Sequence, residues 1–195
     1  MSRALFVVDV QNDFTEGGAL GVDGGDAVAL AVSRHLVAHH GDYALVVASR
    51  DWHDAEGDNG GHFAVDAAPD FVTSWPVHCV AGTAGADYDP GLDLTHITHH
   101  LKKGQGRPAY SLFEGVADDG ATAAELLTRY GVVDLDVVGI ATDYCVRATA
   151  LDAIAHGVHV RVFTDLIAGV AEPSSEAALA ELAHAGAELV ESARA

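Results

Sequence analysis

Lysine occurs only twice in the 195 residues, at Lys102 and Lys103, side by side in HHLKKGQG. Eight arginines supply the rest of the positive charge against 29 acidic side chains, and the formal charge is −19. A surface this negative repels nucleic acid and anionic membranes, which argues against both as partners. Cysteine is as scarce: Cys79 and Cys145 are too few for a disulfide framework in a chain of this size. Free thiols in a reducing, cytoplasmic setting are expected. No apolar run approaches the ~20 residues that span a bilayer. The N-terminal MSRALFVVDV reaches a charge at Asp9 too early for a signal peptide.

What is present is a globular composition, 49% hydrophobic, long enough for a single domain over 1–195 with a sizeable core. Short valine-rich runs at 4–10, 44–49, 135–140 and 158–163 have the pattern of parallel strands covered on both faces. Weaker strand patterns fall at 95–101 and 187–190. Helical patterns lie between them, at about 25–40, 119–130, 143–156 and 174–185. Thr142 or Asp143 is expected to cap the third and Gly157 to end it; Ser174 or Ser175 is expected to cap the fourth. Strand–helix alternation predicts an α/β fold, a three-layer open sheet of about six mostly parallel strands flanked by helices. The stretch from about 50 to 94, rich in Gly, Asp, His and Pro, is too long for an idle loop.

Ligands of open parallel sheets gather beyond the carboxyl ends of the strands, and three predicted strands end in reactive chemistry there. Asp9 follows LFVV, Asp51 and His53 follow LVVAS, and Cys145 closely follows VVGI. A thiol at the start of a helix feels the positive end of the macrodipole, which favours thiolate. The alternative is that Cys145 is a plain core cysteine. Asp9, at a buried strand end, suits a base with a raised pKa; it equally suits a turn-former in VDVQNDF, as does Asp13. A lysine beside them would keep both groups ionised, and pattern alone leaves Lys102 and Lys103 equal candidates. Asp51-x-His53 puts two donors on one side of an extended segment, and His62 and His78 come from the same long loop. One carboxylate and three imidazoles suit one divalent transition metal such as zinc, iron or manganese. Against that stand 12 histidines in all, many of them surface residues. Aromatics are 7% of the chain, so Phe14 and Trp75 stand out beside these segments. Flat rings there would suit an aromatic substrate, or simply belong to the core.

VVDVQNDFTEGGAL, RDWH with a later histidine, SWPVHCVAGTAGAD, AYSLFEG and VVGIATDYCV stand in order over nearly the whole chain. As a set they resemble the nicotinamidase/pyrazinamidase branch of the isochorismatase-like cysteine hydrolases. The resemblance implies a six-stranded, mostly parallel sheet and hydrolysis of nicotinamide to nicotinate and ammonia in NAD salvage. It implies Cys145 as nucleophile, Asp9 as proton carrier, and Lys103, the lysine directly before glycine, as third member of the triad. The backbone N–H groups of Ala141 and Cys145 would form the oxyanion hole, beside a cis Ile140–Ala141 peptide. Asp51, His53, His62 and His78 would hold the metal, which grips the pyridine nitrogen of the substrate. Phe14, Trp75, Tyr110, Ile140 and Tyr144 would line the substrate pocket.

Two positions and one spacing depart from the pattern: Tyr144 stands where relatives of this type carry histidine, and Arg50 where lysine is common. Eight residues separate His53 from His62, a longer spacing than in such relatives. Other branches of the superfamily, isochorismatase or N-carbamoylsarcosine amidohydrolase, are alternatives, though neither needs the metal cluster. A non-catalytic metal-binding protein would explain the histidines but leave Asp9, the lysine and Cys145 unconnected. Whether the chain works as a monomer or a homo-oligomer is open at this stage.

Overall fold

Each valine-rich run becomes a strand because its side chains have a core on either side. The computed structural model describes residues 2–194. Its strands are β1 (Ser2–Val8), β2 (Leu45–Asp51), β3 (His99–Lys103), β4 (Val116–Ala117), β5 (Val132–Ile140), β6 (His159–Ala168) and β7 (Glu188–Val190). The helices are α1 (Gly25–His39), α2 (Ala123–Arg129), α3 (Arg147–Ala155) and α4 (Glu172–Ala185). The strands form one sheet in the order β4-β3-β2-β1-β5-β6-β7, with every neighbouring pair parallel except β3 and β4.

Alternation along β1 sorts the two cores. Ala4, Phe6 and Val8 join Leu126 of α2, Ala150 of α3 and Leu182 of α4 on one face. Leu5 and Val7 join Val28, Val32 and Leu36 of α1 on the other. Burying a side chain of this size contributes about 1.5–3 kcal/mol, so a one-residue register slip in β1 would forfeit several such terms at once.

The sheet has seven strands where the pattern implied about six. β4 pairs only two residues, antiparallel to β3, and Val116 is exposed, so it leaves no hydrophobic signature. The helix ends also differ from expectation. Thr142 and Asp143 do not cap α3, because a wide π-helical turn, Thr142–Val146, precedes it, with the Val146 N–H reaching the Ala141 carbonyl (3.1 Å). Asp143 instead reaches across to the start of α4, accepting from the Val170 and Ala171 N–H groups (3.0 and 3.3 Å) and the Ser174 hydroxyl (2.6 Å). Ala171 is the capping residue of α4. Gly157 follows α3 at φ +80°, the left-handed conformation expected of a stop.

Chain order runs outward from β1 in both directions, through β2 and β3 on one side and β5, β6 and β7 on the other. A crevice therefore opens beyond the carboxyl ends of β1, β2 and β5, as it does at any such switch point. Asp9, Asp51 and the Ala141–Cys145 turn all stand at these carboxyl ends.

Candidate active site

One close approach of two strands assembles the first half of the site. Gly139 has φ +115°, and a Cβ there would collide with the Val8 carbonyl, so β5 comes against the end of β1 only because this residue is glycine. Asp9, just beyond, is itself in a left-handed conformation (φ +46°) and fully buried, with Oδ1 accepting from the Ser49 hydroxyl (2.7 Å). The chain then turns through a cis Ile140–Ala141 peptide and the π-helical turn to Cys145.

Lys103 closes β3 opposite Asp51 in the register, with its side chain fully buried. Its ammonium donates to Asp51 Oδ1 and to the Ala109 carbonyl (3.2 Å), and lies 3.6 Å from Cys145 Sγ. It also lies 2.9 Å from Asp9 Oδ2, an ion-pair contact whose angles fall outside hydrogen-bond geometry. Lys102 faces the other way, pairing with the exposed Asp118 (2.8 Å) and lying over the Trp52 ring (5.0 Å to its centre). Strand alternation thus separates the two lysines completely.

One ammonium shared by two carboxylates sets the protonation states. Burial alone would lower the Lys103 pKa, but Asp51 and Asp9 outweigh it and hold the ammonium well above its ordinary value. Burial raises Asp9, and the Lys103 charge only partly opposes it. For Asp51 burial is overcome chiefly by the Lys103 charge, with the neighbouring His53 and His78 lowering it further, leaving it well below the usual carboxylate range. Cys145 corrects the expectation from its place at a helix start. Burial pushes its thiol well above the ordinary value, against the Lys103 charge and reinforced by Asp9 and Asp51. The resting sulfur carries its proton, with a carboxylate of raised basicity in the same cluster.

Asp51, His53, His62 and His78 are all buried, and one donor atom from each lies within 4.8 Å of all the others. His53 Nδ1 donates to the Gly104 carbonyl (2.8 Å) and His78 Nδ1 to the Pro76 carbonyl (2.7 Å), which turns Nε2 of each ring toward the cluster. His53 Nε2 has no hydrogen-bond partner among the described residues, and His62 Nε2 faces His78 Nε2 at 3.4 Å. Burial and the neighbouring His53 and His78 push His62 down to about 3, which keeps it neutral. Three ring nitrogens facing one another, with Asp51 Oδ2 3.5 Å from His53 Nε2 and 3.7 Å from His78 Nε2, fit a divalent cation. Gly104 has φ +88°, and a Cβ there would come within 2.6 Å of the His53 ring, so glycine after Lys103 lets both segments meet.

Cys145 and the metal-donor cluster open into one cavity of 360 Å³. Phe14, Trp75, Tyr110 and Tyr144 line it, and Ala141 lies on its wall. Trp75 stands perpendicular to Tyr144 at 4.9 Å and donates its indole N–H to the Tyr110 hydroxyl (3.1 Å). Ile140 does not line the cavity: its side chain is fully buried in the core on the α1 face. The sequence reading missed Leu20, Phe71 and Val170, which complete the apolar wall. Phe71 and Val170 lie in loops without periodicity, where nothing in the sequence marks direction. It also missed Gln11, whose side-chain amide donates to the Asp51 and Ala86 carbonyls and accepts from the Asp51 N–H. The QND that follows VVDV was a legible signal for it.

The isochorismatase domain family matches residues 3–194. The chain is 50% identical over 188 residues to the nicotinamidase/pyrazinamidase of Mycobacterium tuberculosis, covering 96% of this chain and 98% of that protein. It superposes on the pyrazinamidase of Pyrococcus horikoshii in complex with zinc with a TM-score of 0.84 at 38% identity, covering 98% of this chain and 99% of the other. A protein from L. infantum solved in complex with nicotinate superposes equally well, with a TM-score of 0.84 at 35% identity over 98% of this chain and 93% of that one. Sequence match, sheet order and the convergence of acid, lysine and thiol on one crevice agree: the chain belongs to the isochorismatase family.

Proposed function

We propose that the protein is an amidase that hydrolyses nicotinamide to nicotinate and ammonia, and pyrazinamide by the same route. The observation that carries this reading is the Lys103 ammonium, buried in contact with Asp9, Asp51 and the Cys145 sulfur at the base of an aromatic-walled cavity. The nicotinamidase, the pyrazinamidase and the nicotinate complex among its relatives point to the same substrate class. The acid product suits NAD salvage in the cytoplasm. Among the described residues no helix is long and apolar enough to cross a membrane.

In this reading Cys145 is the nucleophile. Asp9 takes the thiol proton as Sγ bonds to the carboxamide carbon, and the carbonyl electron pair moves to oxygen. The backbone N–H groups of Ala141 and Cys145 are the donors for that oxyanion. As the C–N bond breaks, Asp9 returns the proton to the departing nitrogen, which leaves as ammonia. Water then adds to the thioester, giving a proton to Asp9. The tetrahedral species collapses with cleavage of the C–S bond, and the sulfur recovers the proton. Lys103 stays charged throughout and offsets negative charge as it passes between carboxylate and sulfur. Asp51, His53, His62 and His78 would hold one divalent transition metal, zinc, iron or manganese, which supplies a Lewis acid for the ring nitrogen when bound. Phe14, Trp75, Tyr110 and Tyr144 bind the flat ring. The buried four-donor cluster favours this branch over isochorismatase or a carbamoyl amidase.

An ammonia-release assay on nicotinamide, pyrazinamide and a carbamoyl amine, with metal analysis of the same sample, tests the proposal. Turnover of the two aromatic amides is expected, with loss of ammonia release and unchanged metal content in Cys145→Ala. Turnover of the carbamoyl amine alone would overturn the substrate class. Appreciable activity in Cys145→Ala would overturn the nucleophile.

A further inference from the structure

Of the three histidines in the metal-donor cluster, His53 and His78 have their second ring nitrogen fixed by a backbone carbonyl. His62 does not: its Nδ1 is buried without a hydrogen-bond partner among the described residues. Its ring position therefore depends on the backbone that carries it, within the long loop that separates it from His53.

Asn59 holds that loop. It is 3% exposed and sits in the left-handed region at φ +48°. Its Oδ1 accepts from the Asp54 N–H (2.9 Å) and from the Gly106 N–H (3.1 Å), and its Nδ2 donates to the Asp54 carbonyl (3.0 Å). Its own carbonyl accepts from the His62 N–H at 3.4 Å. Asp54 directly follows His53, and Gly106 lies in the turn that carries Lys103 and the Gly104 carbonyl bonded to His53. One side-chain amide thus ties three segments: the one leaving His53, the one entering His62, and the one leaving Lys103. Among the described residues the other backbone bond of His62 in this region comes from the Trp75 N–H to its carbonyl (2.8 Å), on the far side of the loop.

We propose that Asn59 is a positioning residue for the metal centre, which keeps His62 within reach of the cation and locks the metal loop to the turn behind Lys103. The proposal rests on reading the four-donor cluster as a metal site. A buried amide with its fork engaged on both loops holds them more tightly than solvent-exposed contacts could. Outer partners of this kind alter metal affinity by about 10- to 100-fold when removed.

Cobalt(II) is a suitable probe, because its visible spectrum reports ligand number and geometry. The test compares wild type with Asn59→Gly, which removes the side chain yet accepts the left-handed backbone, and Asn59→Asp, which retains both acceptor contacts. Asn59→Gly is expected to raise the Co(II) Kd by about 10- to 100-fold and to change the visible band, with Asn59→Asp, which keeps the two acceptor contacts but loses the donor to the Asp54 carbonyl, falling between the two. In turnover assays at saturating metal, kcat should fall along with the loss of Lys103 registry. A folded Asn59→Gly protein, by far-UV circular dichroism, with wild-type Kd and spectrum would overturn the role of Asn59. Should Asn59→Gly fail to fold, Asn59→Ser, too short to span both loops, takes its place with the same two outcomes. Wild-type protein that binds no Co(II) would instead overturn the metal centre itself, and the proposal with it.

Discussion

Two clusters of buried charge sit on the same sheet and behave in opposite ways. Toward the amino ends of the strands, Asp136 of β5 is fully buried and accepts from Arg3 (2.8 Å), twice from Arg161 (2.8 Å each) and from the Tyr43 hydroxyl (3.0 Å). Both oxygens are saturated, and two guanidiniums serve one carboxylate. At the carboxyl ends the ratio is reversed: one ammonium serves Asp9 and Asp51, a thiol stands 3.6 Å away, and Asp9 Oδ2 lacks an aligned hydrogen bond among the described residues. A saturated carboxylate is fixed, and its partners hold three segments together. An under-satisfied one can take and return a proton. The same buried chemistry makes structure in one place and reactivity in the other, according to the count of donors.

The sharpest way to break this contrast is Lys103→Ala. We expect kcat/KM for nicotinamide to fall at least about 1,000-fold, as for members of an interdependent catalytic unit. Stability should drop by about 3–5 kcal/mol in denaturant titration, because two buried carboxylates lose their cation. Asp9→Asn is expected to lower kcat/KM by a similar order while leaving thermal stability at neutral pH unchanged or higher. The reason is the sign of its shift. Asp9 holds its proton more tightly folded than unfolded, so its ionisation costs stability as pH rises from the ordinary carboxylate range through its raised value. Asn never ionises and removes that cost. In the wild type the same shift predicts that kcat/KM falls as pH drops through the raised Asp9 value, since the base must be unprotonated. A pH–rate profile checks this, and a profile that stays flat down to the ordinary carboxylate range would contradict it.

Asp136→Asn is the mirror experiment. It should cost about 2–4 kcal/mol in thermal or denaturant unfolding, yet leave kcat of the folded enzyme within twofold. A large loss of kcat there would mean that the two clusters are coupled. The smallest effect is expected from Lys102→Ala, whose partner Asp118 is exposed: within about 0.5 kcal/mol and twofold in activity.

Much of this was legible beforehand. Four strands were marked by valine runs, since a strand buried on both faces must be apolar throughout. The weaker β3 and β7 were found with blurred limits: β3 starts at His99 and continues through Lys103, because burial on one face alone leaves less signal. β4 was missed, being too short to have a period. The helix caps went astray because Asp143 finds its donors on a distant segment, which no local rule anticipates. In the site, the motifs contain the residues that converge, Asp9, Lys103 and Cys145 beside Asp51, His53, His62 and His78, while Ile140 of the same motif lies in the core. The direction of the Cys145 shift also went against the local argument, since complete burial outweighs the pull of a helix end.

By itself the sequence determined which reactive side chains end which strands, and that only one of two adjacent lysines could turn inward. Those follow from alternation and the apolar pattern, which are local. Only the tertiary structure decided that Lys103 meets Asp9, Asp51 and Cys145 together, that Asn59 clasps the two loops behind the metal donors, and that Asp136 is saturated while Asp9 is not. Each of these depends on distances between segments far apart in the chain and on the burial they create jointly, and neither quantity is a property of any one segment.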